Sequence, residues 1–206
     1  MRRIDWVLSG LVVCLVCLFP VLGAANGILV NVPTADLTKD GRLVFGFQDI
    51  ANRGEGEVSW GISPEVAAKL SVTKLGGKAG KFDAGVKVQL LKESVDFPAV
   101  SFEIAGNSKY LVASKSLGVR APRIHAGIGQ GRVNGVFVGL SYVVNPVTIS
   151  SGTKSWSVPV AMVMGEFDGK HLNAGIRLAF SPRFDLDLYL VNMEELGWGV
   201  KFNTQF

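Results

Sequence analysis

The stretch from residue 166 to residue 171 carries the densest set of side chains that could bind a ligand. It reads Glu166-Phe-Asp168-Gly-Lys-His171, so two carboxylates and an imidazole lie within six positions. Such a set could contact a ligand or a cation at the mouth of a larger structure. Asp-Gly is also a strong hairpin-turn signal, and the sequence favours that simpler interpretation.

His125 is the other residue whose type suits catalysis, because an imidazole can act as a general base. It lies two positions from Arg123, on the same face of a predicted strand. The alternative is a network of buried polar groups, since inward charges pair to offset their desolvation. We expect the network, and therefore no catalytic residue and no enzyme. The only other histidine is His171, so we expect neither a metal site nor a cofactor.

The N-terminus has the pattern of a secretory signal peptide. Arg2 and Arg3 precede an apolar run over 6–22, and small residues follow at 23–25. Cleavage after Gly23 or Ala25 is expected; an uncleaved membrane anchor is the alternative. Both cysteines, Cys14 and Cys17, fall inside this stretch. The predicted organisation is a signal peptide over 1–25, an N-terminal segment over 26–41 and one β-domain over 42–206.

Beyond this stretch the apolar residues recur at every second position, which indicates β-strands. Glycine, proline, asparagine or aspartate separates the segments. The formal net charge is only +4 and no basic cluster stands out, so we expect no nucleic-acid partner. The predicted strands are 42–48, 57–62, 66–73, 82–90, 99–105, 110–114, 123–129, 135–144, 158–164, 172–180, 184–192 and 196–206.

Each predicted strand has one apolar face and one polar face. Val58, Trp60 and Ile62 are typical of the first; on the strand over 158–164 we assign Val158, Val160, Met162 and Met164 to it. The second face is rich in glycine and charge. If the sheet closes, its polar face lines a crowded lumen. The predicted lumen network comprises Lys69, Lys87, Glu103, Arg123, His125, Arg177, Asp185, Asp187 and Lys201.

The alternation favours an antiparallel transmembrane β-barrel of about 10–12 strands in the outer membrane of a diderm bacterium. A soluble β-sandwich shows similar alternation and remains an alternative. A barrel is favoured because the pattern runs through nearly every strand and aromatics fall near strand ends. Lipids of the outer membrane are therefore the first expected partner.

The last strand, over 196–206, places Trp198, Phe202 and Phe206 on its apolar face. It resembles the C-terminal strand of outer-membrane barrels, which commonly ends in phenylalanine. We expect these three residues to be an assembly signal and the barrel-assembly machinery to be a partner.

The longest connection, over 146–156, poses a question of topology. With both termini in the periplasm, strand parity places it on the periplasmic side, where long loops are uncommon. Either the strand count is off by one or this loop is functional.

Five motifs resemble the YjbH-like family of outer-membrane proteins associated with exopolysaccharide production. They are Gly27-Ile-Leu-Val-Asn-Val-Pro-Thr-Ala35, Val112-Ala-Ser-Lys115, His125-Ala-Gly-Ile-Gly129, Asn134-Gly-Val-Phe-Val-Gly139 and Gly165-Glu-Phe-Asp-Gly169 with Asn173-Ala-Gly175. The chain would match a single barrel unit of the longer family members. The resemblance implies a structural, accessory or transport barrel linked to surface polysaccharide, with polysaccharide as a partner. The alternative function is a barrel enzyme acting on lipid or glycan, with His125 as base.

Overall fold

Twelve β-strands form one closed antiparallel barrel in the computed structural model, which describes residues 27–50, 53–75, 80–145 and 158–205. The predicted signal peptide, the connection over 146–156 and Phe206 lie outside the described residues. The strands are β1 (Arg42–Ile50), β2 (Arg53–Ser63), β3 (Val66–Leu75), β4 (Lys81–Leu91), β5 (Ala99–Ala105), β6 (Ser108–Ser116), β7 (Arg123–Gln130), β8 (Gly135–Val143), β9 (Val160–Phe167), β10 (Leu172–Ser181), β11 (Phe184–Val191) and β12 (Glu195–Gln205).

Every strand pairs with its neighbour in sequence, and β1 pairs with β12 to close the sheet. The closing register runs from Arg42 opposite Gln205 to Ile50 opposite Gly197. Closure leaves no unpaired sheet edge, which a membrane-spanning sheet requires because lipid offers no hydrogen bonds. All twelve predicted strands are present, and the predicted fold class is confirmed.

The two ends of the barrel differ in their connections. We call the end where β1 begins and β12 ends the terminus end, and the opposite one the far end. The far-end turns are short, such as the one from Val191 to Glu195, where Asn192 and Met193 adopt positive φ angles of 53° and 56°. Longer connections, over 92–98, 117–122 and 144–159, all lie at the terminus end. With twelve strands the count is even, so it is not off by one, and a functional role for the connection over 146–156 stays a prediction.

The predicted apolar face points outward on every strand for which we assigned one, except β9. Val160 and Met164 are 5% and 4% exposed and face the lumen, whereas Val163 is 38% exposed and faces outward. Our assignment of Val160, Met162 and Met164 to the outer face was wrong. Apolar residues occupy five successive positions here, so alternation alone does not fix the facing; the inward carboxylate of Glu166 does.

Residues 27–41 enter the barrel at the terminus end; we call them the inserted segment. Lys39 and Asp40 are exposed at the entrance, and the residues before them lie inside the barrel. Gly61 provides the entrance, because a Cβ at this position would lie 2.0 Å from the carbonyl oxygen of Lys39. Asp40 forms a parallel bridge with Gly61 at the same place. A side chain at position 61 would therefore push the segment away from β2. None of the described segments is a helix long and apolar enough to cross a membrane.

Candidate functional site: a segment held inside the barrel

The inserted segment runs the length of the lumen and then doubles back. It rises from Asp40 to a tight turn over 29–32, where Asn31 Oδ1 accepts a 3.2 Å hydrogen bond from Arg132 in the far-end turn after β7. Ile28 pairs with Pro33, and the Thr34 N–H donates to the Gly27 carbonyl at 2.7 Å. The segment is thus a small hairpin standing inside the sheet.

Glu166 on β9 holds the tip of this hairpin. Its carboxylate accepts the backbone N–H groups of Val30, Asn31 and Val32 at 3.0, 2.7 and 3.0 Å. Asn173 on β10 donates a fourth bond at 2.9 Å. Glu166 is only 4% exposed, so these bonds replace the water that a buried carboxylate would otherwise need. One side chain therefore accepts hydrogen bonds from three consecutive backbone N–H groups that lie outside the strands.

His125 on β7 takes part in a second attachment point, lower in the lumen. Ser114 Oγ accepts the Ala35 N–H at 2.8 Å and lies 2.8 Å from His125 Nδ1. His125 Nε2 lies 3.2 Å from Ser141 Oγ, within hydrogen-bond distance. His125 is 1% exposed, and each of its ring nitrogens contacts a serine hydroxyl; the hydroxyl of Ser114 holds the segment.

Arg123 makes the third attachment, at the terminus end. Its guanidinium donates to Asp36 at 2.8 Å, to Ser116 Oγ at 2.8 Å and to Glu93 in the loop over 92–98. Burial acts to raise the pKa of Glu93, but the Ser116 N–H and Arg123 outweigh it and hold that pKa below its ordinary value. The arginine therefore joins the inserted segment to a loop outside the barrel.

Apolar packing supports these polar contacts. Val32 and Ala35 are fully buried against Tyr110, Val112 and Phe137 on the lumen face, and the Tyr110 and Phe137 rings meet edge to face at 6.4 Å. A second cluster buries Leu29 and Val30 against Met164 and Tyr189. The lumen thus contains a hydrophobic core that the segment completes.

Two ionic clusters occupy the rest of the lumen wall. In the first, Glu103 accepts Lys69 at 2.6 Å and Lys87 at 3.3 Å, and Lys87 also donates to the Gly27 carbonyl of the segment. In the second, the fully buried Asp187 binds Arg177 at 2.6 Å and Lys201 at 2.9 Å.

Tyr189 donates a further bond to Asp187 at 2.7 Å in the second cluster. Asp185 is buried beside this cluster, 3% exposed, and lies on the same lumen face of β11. All nine residues predicted for the lumen network point inward. The structure brings six of them into these two clusters and places Arg123 and His125 against the inserted segment.

The residues predicted at the barrel mouth divide between two roles. Asp168 accepts the backbone N–H groups of Lys170 and His171 at 3.1 and 2.9 Å, which is a turn stabilised by its own first residue. Burial acts to raise the pKa of Asp168, but the His171 N–H, Asn173 and the Lys170 N–H hold it below its ordinary value. Asp168 and His171 thus form the predicted turn, whereas Glu166 reaches into the lumen.

Sequence reasoning missed the inserted segment, including its Asp36, and several of the side chains that surround it. Among them, Arg132 and Glu55 form a 2.7 Å ion pair beside the hairpin tip, and Tyr189 packs against Leu29 and Val30. A signal was present in Tyr110, Val112 and Phe137. These large apolar residues alternate onto the lumen face and have no partner unless something fills the lumen.

The outer surface carries the opposite composition. Phe45, Trp60, Leu70, Val86, Leu188 and many similar side chains are between 44% and 49% exposed around the sheet. Phe180, Phe184 and Phe202 form an aromatic cluster with ring centroids 5.9 and 5.1 Å apart near the terminus end, and Phe47 meets Trp198 at 5.5 Å nearer the far end. An apolar band between aromatic groups around a closed sheet is the surface of a transmembrane barrel.

The molecule is a transmembrane β-barrel of the outer-membrane type. No family model matches the chain, and no curated protein matches it. Among solved structures it is similar to the Acinetobacter baumannii outer membrane protein Omp33, with a TM-score of 0.47, 10% identity, and coverage of 80% of this chain and 97% of that one. It is also similar to the KdgM porin, with a TM-score of 0.47, 9% identity, and coverage of 80% and 99%. The fold assignment rests on the closed strand order of the chain itself.

Small cavities remain on either side of the segment. One of about 40 Å³ lies among Gly27, Lys69, Lys87 and Glu103, and another of about 40 Å³ lies beside Ile28 and Tyr189. Each has room for water and not for a sugar ring. The described residues contain no group of three or more His, Cys, Asp or Glu side chains arranged around a metal position.

Proposed function

We propose that this protein is a non-catalytic outer-membrane barrel whose lumen is closed at rest by residues 27–41. The observation that carries the proposal is the clamp of Glu166 on three consecutive backbone N–H groups at the far end. With Arg123 holding Asp36 at the other end, the segment is fixed at both mouths. A segment attached in this way suits a structural or gated role better than an open pore.

We further propose that the barrel serves the transport of surface polysaccharide as an accessory component. The motif resemblance supports this, because its first motif, over 27–35, coincides with the part of the segment held by Glu166 and Ser114. His125 as the base of an enzyme receives no support from the geometry, since its ring is buried and both nitrogens are engaged by serines.

Planar-bilayer recordings test the closed state. We expect wild-type protein to conduct little, and the double variant Glu166→Ala/Arg123→Met to conduct because both ends of the segment are released. The matched control is Glu65→Gln/Lys92→Met, which removes an exposed ion pair of 2.6 Å at the terminus end. Equal, large conductance of wild type and the double variant would show that the segment does not close the lumen.

The polysaccharide role needs a separate measurement in the native host. Deleting the gene should lower the amount of polysaccharide at the cell surface, and wild-type protein should restore it. An unchanged amount in the deletion strain would remove polysaccharide from the proposal and leave the closed barrel standing.

A further inference from the structure

Four large apolar side chains are exposed on two neighbouring loops at the terminus end. Val95 and Phe97 belong to the loop over 92–98 and are 93% and 60% exposed. Leu117 and Val119 belong to the loop over 117–122 and are 59% and 104% exposed. Exposed apolar groups gathered in one place mark a contact surface more often than chance.

These loops are built to hold their positions. Lys115 Nζ donates to the carbonyl oxygens of Ser94, Val95 and Phe97 at 2.5, 2.7 and 3.3 Å. The Ser94 N–H also donates to the Phe97 carbonyl at 3.0 Å. In the second loop the Leu117 N–H donates to the Pro122 carbonyl at 3.1 Å. Backbone hydrogen bonds therefore hold both loops.

The first loop leans toward the outside of the barrel. Ser114 faces the lumen, so its neighbour Lys115 lies on the outer face of β6, and the ammonium of Lys115 binds the loop there. A second tie runs to the barrel wall, because the Ser116 N–H donates to Glu93 at 2.7 Å. The loop thus lies against the outer rim.

The apolar surface of these loops continues that of the barrel. Leu90 and Leu91, at the end of β4, are 60% and 42% exposed and precede the first loop directly. Leu91 pairs with Val100 on the outer face of β5. The lipid-facing band therefore extends past the strand ends on this side of the barrel.

We propose that Val95, Phe97, Leu117 and Val119 form a membrane-interface anchor that enters the head-group region of the bilayer at the terminus end. Continuity with the lipid-facing band identifies the bilayer as the occupant. Lys115 fits this position, since its aliphatic stem lies along the outer face while its charge is held at the rim. The anchor fixes the depth and tilt of the barrel on the side where Arg123 links loop and inserted segment.

Site-directed spin labelling measures the depth of these loops. Replacing Cys14 and Cys17 by alanine leaves a chain without cysteine, so Phe97→Cys and Val119→Cys can each be labelled singly in full-length protein purified from membranes. Val86→Cys, in the middle of the band, and Arg183→Cys, in an exposed turn at the same end, are the controls. The protein is reconstituted in phosphatidylcholine–phosphatidylglycerol vesicles, and collision rates with oxygen and with a water-soluble nickel chelate are compared.

The anchor requires that labels at 97 and 119 lie between the two controls in depth, with a several-fold higher oxygen-to-nickel ratio than the label at 183. Reaction of the unlabelled cysteines with a charged maleimide controls for the apolarity of the label, and it should be slow at 97 and 119. Labels as open to nickel as the one at 183, with rapid maleimide reaction, would place the loops in water and overturn the proposal.

Discussion

Leu29 fills the space that the absent side chain of Gly139 leaves on the lumen wall. A Cβ at position 139 would lie 2.4 Å from Leu29 Cδ1. The inserted segment and β8 are therefore complementary at this point, and the pair offers a direct way to displace the segment.

Replacement of Gly139 by valine should loosen the inserted segment by overpacking, at a cost of about 1–3 kcal/mol. Limited proteolysis between residues 27 and 41 should become faster, which mass spectrometry of the fragments measures. Gly165→Val is the control, because a Cβ at position 165 meets nothing within 4 Å. Equal protection of both variants would mean that Leu29 is not held against β8.

Replacement of Glu166 by alanine removes the acceptor of the Val30, Asn31 and Val32 N–H groups, of which the first and third are buried. Each such loss costs about 1–3 kcal/mol, so the segment should detach before the barrel unfolds. Hydrogen exchange at Val30, Asn31 and Val32 should accelerate, while the amides of β10 keep their protection. Glu166→Gln, which keeps one carbonyl acceptor, should show an intermediate rate; unchanged exchange in both variants would contradict the clamp.

Replacement of Asp187 by asparagine removes the carboxylate that both Arg177 and Lys201 contact in the lumen. Breaking a buried ion pair from one side costs about 3–5 kcal/mol. The urea midpoint of the folded barrel in detergent should fall accordingly. Asp83→Asn, which breaks the exposed pair with Lys81, should change the stability by less than about 1 kcal/mol.

A charge on the outer surface should oppose membrane insertion. Ile176 lies in the middle of β10 and is 43% exposed, so Ile176→Arg places a guanidinium against lipid at a cost of about 2–4 kcal/mol. The fraction that migrates as folded barrel on an unheated gel should fall. Glu194→Arg, in a far-end turn, is the control. In a separate fractionation, recovery of the wild-type protein in the soluble periplasmic fraction would overturn the membrane assignment.

Deletion of Phe206 should impair assembly more than secretion, because the set Trp198, Phe202 and Phe206 is the proposed recognition point for the assembly machinery. Processed but unassembled protein should then accumulate in the periplasm. N-terminal sequencing of the same material tests whether cleavage follows Gly23 or Ala25. Wild-type membrane levels of the deleted form would count against the recognition role.

The sequence predicts the barrel well because the two faces of most strands differ sharply in polarity. On β10, the charged Arg177 lies between the apolar Ile176 and Leu178, so the sequence identifies the lipid-facing side. On β9 the rule fails, since Val163 and Met164 are both apolar. Polarity alone also misses the lumen core, in which Phe137 packs against residues of a segment that has no strand period of its own.

The contacts of the inserted segment depend on parts of the chain that lie far away. Local pairing was sufficient to predict β11 and β12, which meet through a short turn. Nothing local links Val30 to Glu166, which are 136 positions apart. Such contacts form only when the barrel closes around the segment. The pattern of a single sequence therefore does not predict which residues pair.

The same separation sets the order in which the molecule can form. The segment precedes every strand, yet its acceptor at the far end belongs to β9, and Ser114 is 79 positions away from Ala35. Contacts between distant parts of a chain form late. The inserted segment therefore reaches Glu166 only after β9 has joined the sheet, although it precedes every strand in the chain.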